Sequence, residues 1–193
     1  MNFLAADQPI FLYIILGVIA LGVIWFIATY NTFVRLRQHV KESWSDVDTE
    51  LKRRYDLIPN LVETVKGYAK HEREVLERVI EARNSAQAQH GSPNEQAAEE
   101  RKLSGAVRQL FAVAEAYPDL KANTNYLHLQ KELANTEDRI QAARRFYNAN
   151  VRDLNTRLQV IPSNIVGNMF SFQRADFFEL DNEAERSVPQ VSV

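Results

Sequence analysis

The chain has 193 residues, 46% of them hydrophobic, with 23 Lys and Arg against 25 Asp and Glu, a formal net charge of −2 and no cysteine. This balance does not favour binding to a phosphate backbone, which needs a clustered excess of Lys and Arg, so nucleic acid is not an expected partner. Without cysteine there is no disulfide, thiol nucleophile or thiolate metal site, and the redox compartment leaves no trace in the composition.

Residues 10–29, IFLYIILGVIALGVIWFIAT, carry no charge. At about 1.5 Å of rise per residue they make roughly 30 Å of helix, the thickness of one bilayer core. The expected transmembrane anchor therefore spans 10–29 and includes Ile10, Leu16, Ile24, Trp25 and Thr29. A cleavable signal peptide would need a basic start, a shorter apolar core and a small-residue cleavage site. Residues 1–9 hold Asp7 as their sole charge, and the bulky Tyr30-Asn31-Thr32-Phe33 follows the run. Tyr13, Trp25 and Tyr30 suit aromatic belts at the two interfaces. Arg35, Arg37 and Lys41 follow the run while no basic residue precedes it. The positive-inside rule then puts residues 1–9 outside the cell and the rest in the cytoplasm.

The helix is expected to leave the membrane without a break. Leu36, Val40, Trp44, Val47, Leu51, Tyr55 and Ile58 recur at spacings of four and three, the mark of one buried stripe. Asp56-Leu57-Ile58-Pro59-Asn60 predicts a turn, with Pro59 in the first positions of a second helix that buries Leu61, Val65, Tyr68, Leu76, Val79 and Ile80. His90-Gly91-Ser92-Pro93 ends that helix. A third follows from about Asn94 with Ala98, Leu103, Val107, Leu110, Phe111 and Ala114 inside, and Tyr117-Pro118-Asp119 stops it, since a residue before proline is pushed out of the helical region.

The fourth helix begins near Thr124 or Asn125. Tyr126, Leu133, Ile140, Tyr147, Leu154 and Ile161 repeat every seven residues, with Ala143, Val151 and Leu158 supplying the second position of the seam. Long helices joined by short connections favour an antiparallel four-helix bundle over 30–161, so the expected fold is all-α, with the transmembrane helix continuous with the bundle. Tyr55, Tyr117, Tyr126, Tyr147 and Trp44 are expected in or at the rim of the core. Glu137 and Arg144 either flank the seam or form a buried polar layer, and Asn123, Asn148 and Asn155 either meet backbone at turns or bridge helices.

The stretch Arg54-Tyr55-Asp56-Leu57-Ile58-Pro59-Asn60-Leu61-Val62-Glu63-Thr64-Val65, followed by Lys66-Gly67-Tyr68-Ala69 and His71-Glu72, resembles the first signature of the LemA family. Tyr117 through Asn123, Leu129-Gln130-Lys131-Glu132-Leu133, Thr136-Glu137 and Ala143 through Asn148 continue that resemblance in order, from the anchor to about Phe178. It departs where the family often has Tyr-Asn for Leu154-Asn155, Phe-Pro for Ile161-Pro162, and Phe-Gly-Phe for Phe170-Ser171-Phe172; these changes keep hydrophobicity. The resemblance implies a single N-terminal anchor in a bacterial inner membrane, an antiparallel helical bundle, and no established enzymatic activity. It also implies association with membrane-bound zinc peptidases and with magnetosome membranes.

Neither the residues nor the resemblance supply a catalytic, cofactor-binding or metal site. A carboxylate-bridged di-metal centre needs Glu-x-x-His pairs, but Leu36, Tyr68, Gln87 and Asn125 stand three residues before His39, His71, His90 and His128. His71-Glu72 lacks the second histidine of a zinc-protease helix, since Val75 stands at that position. No serine sits in a Gly-x-Ser-x-Gly elbow, and no glycine-rich phosphate loop occurs.

Residues 162–180 place large apolar side chains outside the regular helices, with Met169, Phe170, Phe172, Phe177 and Phe178 as the candidate interaction segment. Three covers are open: the end of the bundle, the membrane surface and a neighbouring copy. Asp176, Glu179, Asp181, Glu183 and Glu185 weigh against anionic lipid. Residues 181–193 read as a disordered tail. The expected function is a non-enzymatic membrane-anchored scaffold that contacts the bilayer and self-associates as a homo-oligomer; the alternative is an adaptor or modulator of a membrane zinc peptidase.

Overall fold

The computed structural model describes residues 8–179, and their side chains from residue 11 onward. Among these residues there are helices and no strands: α1 Gln8–Lys66, α2 Arg73–Ala88, α3 Pro93–Ala114, α4 Pro118–Lys121, α5 Thr124–Arg157 and α6 Ser163–Met169. Residues 1–7 of the expected N-terminal segment, Leu180 and the expected tail at 181–193 lie outside the described residues. The chain forms two compact units, the first made of residues up to Lys41 with Asn150–Ala175, the second of Glu42–Ala149 with residues from Asp176 onward.

The main correction to the sequence expectation is at Pro59. No second helix begins there, because α1 continues through Pro59 to Lys66. Proline inside a helix lacks the N–H that would serve the carbonyl four residues back. That carbonyl belongs to Tyr55, and Arg83 on α2 donates its Nε to Tyr55 O at 3.1 Å. An arginine from the next helix thus replaces the missing donor, and the α1 stripe runs on through the fully buried Leu61 and Val65. Tyr68, expected in the core, instead lies in the following turn, 41% exposed, where its hydroxyl accepts from Asn123 Nδ2 at 2.9 Å.

Within the second unit, Ser92 caps α3 with its side chain on the Glu95 N–H, while Glu95 Oε2 returns to the Ser92 N–H at 2.9 Å. This reciprocal box removes two unsatisfied donors at the start of the helix. A Cβ on Gly91 would meet Glu95 Oε2, so a larger residue there would displace the glutamate end of the box. Asn123 Oδ1 accepts from the backbone N–H groups of Asn125 and Tyr126 at 2.9 and 3.0 Å and starts α5 in the same way. Tyr126, Leu133, Ile140 and Tyr147 are buried along it, as the heptad predicts.

In the first unit the core is Phe33, Leu154 and Val166, with Phe26, Leu36, Leu158 and Phe172 packed around them. The heptad does not extend to Ile161, which is 82% exposed, because α5 ends at Arg157 and the side-chain register ends with it. Ser163 Oγ lies 2.8 Å from Arg157 O and 3.0 Å from Val160 O, so its one O–H is placed to serve the Arg157 carbonyl that this ending frees. Gly167 lets α6 approach closely, since a Cβ there would stand 2.8 Å from Leu158 Cδ2 and 3.2 Å from Phe33 Cζ.

The end of α6 explains one departure from the resemblance. Phe172 N–H donates to Gly167 O at 3.0 Å and Ser171 N–H to Asn168 O at 3.1 Å, the paired bonds of a Schellman ending. That motif needs a left-handed residue after the cap, and Ser171 has φ 54°. It is the position where the resemblance expects glycine.

Two measurements check these local readings. Arg83→Ala should lower stability by about 1–3 kcal/mol in thermal unfolding, the cost of an orphaned carbonyl. The loss should shrink in a Pro59→Ala background that restores the N–H, giving a non-zero double-mutant coupling. Ser171→Gly should raise stability by about 1 kcal/mol, because only glycine enters the left-handed region without a steric cost.

Candidate functional site

Two groups of side chains stand out, one in each unit. In the second unit, the four-three stripe of α1 is Val47, Leu51, Arg54, Ile58, Leu61 and Val65, and that of α3 is Gln96, Glu100, Leu103, Val107, Leu110 and Ala114. Each stripe therefore carries a charge into the core. Glu100 is fully buried and Arg54 is 4% exposed.

Arg54 Nη1 donates to Glu100 Oε2 at 3.2 Å and lies 3.5 Å from Glu137 Oε2 on α5, while its Nη2 donates to Ser104 Oγ at 2.9 Å. The Tyr55 hydroxyl donates to Glu100 Oε1. Gln96 Nε2 lies 3.1 Å from that same oxygen and 3.0 Å from Ala86 O on α2. Burial pushes the Glu100 carboxyl above the ordinary range, opposed by the hydrogen bond from Tyr55, the Arg54 charge and the hydrogen bond from Gln96. Burial and the neighbouring Glu100 push the Tyr55 phenol far up, so it stays protonated and remains a donor. The cluster ties α1, α2, α3 and α5 at one point through bonds to one another. An open cavity of about 500 Å³ lined by Arg54, Arg101, Ser104, Arg108, Gln130 and Glu137 lies beside it.

Sequence reasoning missed Arg54 and Glu100. Their heptad register was the signal that could have found them, since both fall on positions otherwise filled by Leu, Ile and Val. Glu137 stands at the flank of the seam with its side chain 40% exposed, reaching inward to Arg54. Arg144 is half-buried.

In the first unit, every residue from Phe11 to Trp25 is exposed, including the expected anchor residues Leu16, Ile24 and Trp25. Thr29 is 2% exposed, so protein packing begins before the apolar run ends. Ile10 belongs to α1, and its side chain lies outside the described ones. Phe170 sits with its ring centroid 5.9 Å from Phe26 and 4.6 Å from Tyr30, and Phe172 stacks on Phe33 at 5.0 Å beneath the Arg37 guanidinium. Met169 is 63% exposed. Asn155 holds the backbone of Ala175 by two bonds, donating Nδ2 to its carbonyl at 2.9 Å and accepting from its N–H at 3.0 Å.

The other members of the expected interaction segment belong to the second unit. Phe177 is half-buried, and Phe178 is fully buried with its ring edge-on to Trp44 at 5.4 Å. Asn148 clasps the Phe178 backbone as Asn155 does Ala175, at 3.0 and 2.9 Å. The Tyr147 hydroxyl donates to Asp176 O at 2.8 Å, and burial with the Asp176 charge pushes that phenol up to about 12.

Residues 43–193 match the LemA family, which spans the Arg54–Glu100 network and both asparagine clasps. The chain belongs to the LemA family. Among curated LemA-like relatives it is 28% identical to Magnetosome protein MamQ 2 of Paramagnetospirillum magneticum over 188 residues, covering 82% of this chain and 69% of that protein. It is 25% identical to Protein LemA of Metamycoplasma hominis over 181 residues, covering 91% of this chain and 81% of that one. Magnetosome protein MamQ of Magnetospirillum gryphiswaldense is 24% identical over 194 residues, covering 86% and 71%. Among the described residues α1 is the one helix long and apolar enough to cross a membrane, and its exposed apolar surface makes this LemA-family chain membrane-associated.

The buried pair makes a testable demand. Arg54→Met should cost about 3–5 kcal/mol at neutral pH, because it takes the counter-charge from Glu100 in the core. With its folded pKa raised, Glu100 favours the fold when protonated. The deficit should therefore shrink as pH falls through that raised value, and grow as pH rises through it, in urea titrations across pH.

Proposed function

We propose that this chain is a non-enzymatic, single-pass scaffold that holds a helical interaction domain at a membrane and associates with itself through helical faces. The observation that carries the reading is an open groove of about 890 Å³ in the second unit, with Val62, Leu76 and Ile80 in its floor and Glu63, Lys66 and Arg73 on its rim. An apolar floor suits the apolar stripe of a partner helix. A rim with both signs of charge complements itself, as an interface between identical copies requires. The Arg54–Glu100 network supports the same reading, because its hydrogen bonds are spent on joining helices. Anchoring confines copies to two dimensions and raises their effective concentration, so a modest interface suffices. The basic residues Arg35, Arg37 and Lys41 after the span favour a bundle on the cytoplasmic side of the bacterial inner membrane.

The test is the mass of the full chain, purified in mild detergent, as a function of concentration. Self-association is expected, with Ile80→Glu weakening it by about tenfold or more while helicity is kept, since a half-buried isoleucine is worth a little over 1 kcal/mol at an interface. A single-chain mass at every concentration would overturn the reading. Recovery from native membranes of a stoichiometric zinc peptidase instead of further copies would replace it with the adaptor role that the family resemblance implies.

A further inference from the structure

The apolar surface of α6 has no cover within the first unit. Ile165 and Met169, four apart on α6, are 58% and 63% exposed, and Ile161 and Phe170, which flank the helix, are 82% and 45% exposed. The opposite side of the same short helix, Ser163, Val166 and Gly167, is buried. The exposed Ile165 and Met169 therefore form one face of α6, turned away from the Phe33 core.

The position of α6 along α1 supplies the missing cover. Phe170 packs on Phe26 and Tyr30, and Phe26 directly follows the exposed apolar stretch that ends at Trp25. A bilayer core matched to the 10–29 run would end beside Tyr30, the ring on which Phe170 packs. The exposed face of α6 thus continues the lipid-facing surface of α1 sideways, at the depth where the hydrocarbon core gives way to headgroups.

Charge points to the same surface. Although the chain as a whole carries −2, the described part of the first unit holds Arg35, Arg37, Lys41, Arg152, Arg157 and Arg174 against Asp153 alone. All of the six except the half-buried Arg157 are exposed. Of the acidic residues that the sequence set against anionic lipid, Asp176 and Glu179 are counted with the second unit, and Asp181, Glu183 and Glu185 lie outside the described residues. Basic side chains near an anionic leaflet are drawn to it, each adding to the attraction.

We infer that α6 is an interfacial helix, which lays Ile161, Ile165, Met169 and Phe170 into the surface of the bilayer that α1 spans while the surrounding arginines and Lys41 engage anionic lipid headgroups. The anchor is then a span joined to a second, shallow contact, which fixes how the first unit meets the membrane. This goes beyond the scaffold reading, needs only the membrane span, and stands or falls whatever the groove binds.

The absence of cysteine makes the test direct. Ile165→Cys and Met169→Cys, and Phe146→Cys as a control whose native residue is 59% exposed on α5, are each labelled with an environment-sensitive fluorophore in the full chain. The proteins are reconstituted at low density in vesicles of phosphatidylcholine and phosphatidylglycerol. Labels at 165 and 169 should be severalfold less accessible to aqueous iodide than the label at 146, and quenched by lipids spin-labelled at a shallow acyl position. Replacing phosphatidylglycerol by phosphatidylcholine should weaken that quenching severalfold. Iodide access equal to that at 146 would overturn the inference. Shielding that appears only at high protein density, without spin-lipid quenching, would overturn it in favour of a second copy, and quenching unchanged without phosphatidylglycerol would overturn the role given to the basic residues.

Discussion

A carboxylate with no access to water constrains the helices around it more than any apolar contact does. Leucine tolerates a small slide of its neighbours, but Glu100 requires the Arg54 guanidinium and the Tyr55 hydroxyl at hydrogen-bonding distance. A shift of one turn along α1 would put Leu51 or Ile58 in place of that charge and leave a buried ion without a partner. Because Gln96 reaches α2 through Ala86 O and Arg54 reaches α5 through Glu137, one group fixes the register of four helices. Net stabilisation from such a pair is small; what it supplies is a penalty for every alternative alignment.

The same first helix meets two different solvents. From Phe11 to Trp25 its side chains are apolar on all sides and exposed, which suits lipid. From Phe33 onward it narrows to a stripe with polar residues opposite, which suits a water-facing bundle. The change needs no break in the backbone, because helix geometry is indifferent to the medium and only the width of the apolar surface differs. Even Pro59 does not interrupt it, since the one carbonyl it deprives is served by Arg83.

Periodicity made α3 and α5 legible almost to their ends, because each is framed by a cap: Ser92 with Pro93, and Asn123. It misplaced the start of the second helix, since a proline normally marks a boundary and its compensation came from a side chain distant in sequence. The buried charges escaped for a related reason. Glu99, Glu100 and Arg101 are three consecutive charges, and only the register of Glu100 with Leu103 and Val107 separates it from its neighbours. The asparagine clasps were half visible: Asn148 and Asn155 lie seven residues apart on α5 and so share a face, but nothing local names Phe178 and Ala175 as the backbone they hold. The left-handed Ser171 was legible as a departure from a glycine, though its reason lay in the hydrogen bonds that end α6.

Synthesis proceeds from the N-terminus, and that gives the separation between Arg54 and Glu100 a temporal meaning. The apolar span emerges first and can enter lipid at once, whereas the stripe that follows it has to wait 46 residues for its ionic partner. The backbone of Phe178 reaches Asn148 later still. A membrane-tethered nascent chain therefore carries an uncovered α1 stripe through much of its translation, with nothing of its own yet made to shield it. Insertion and domain folding are separate events in the life of this protein, and the interval between them is where chaperones and proteases have access to it.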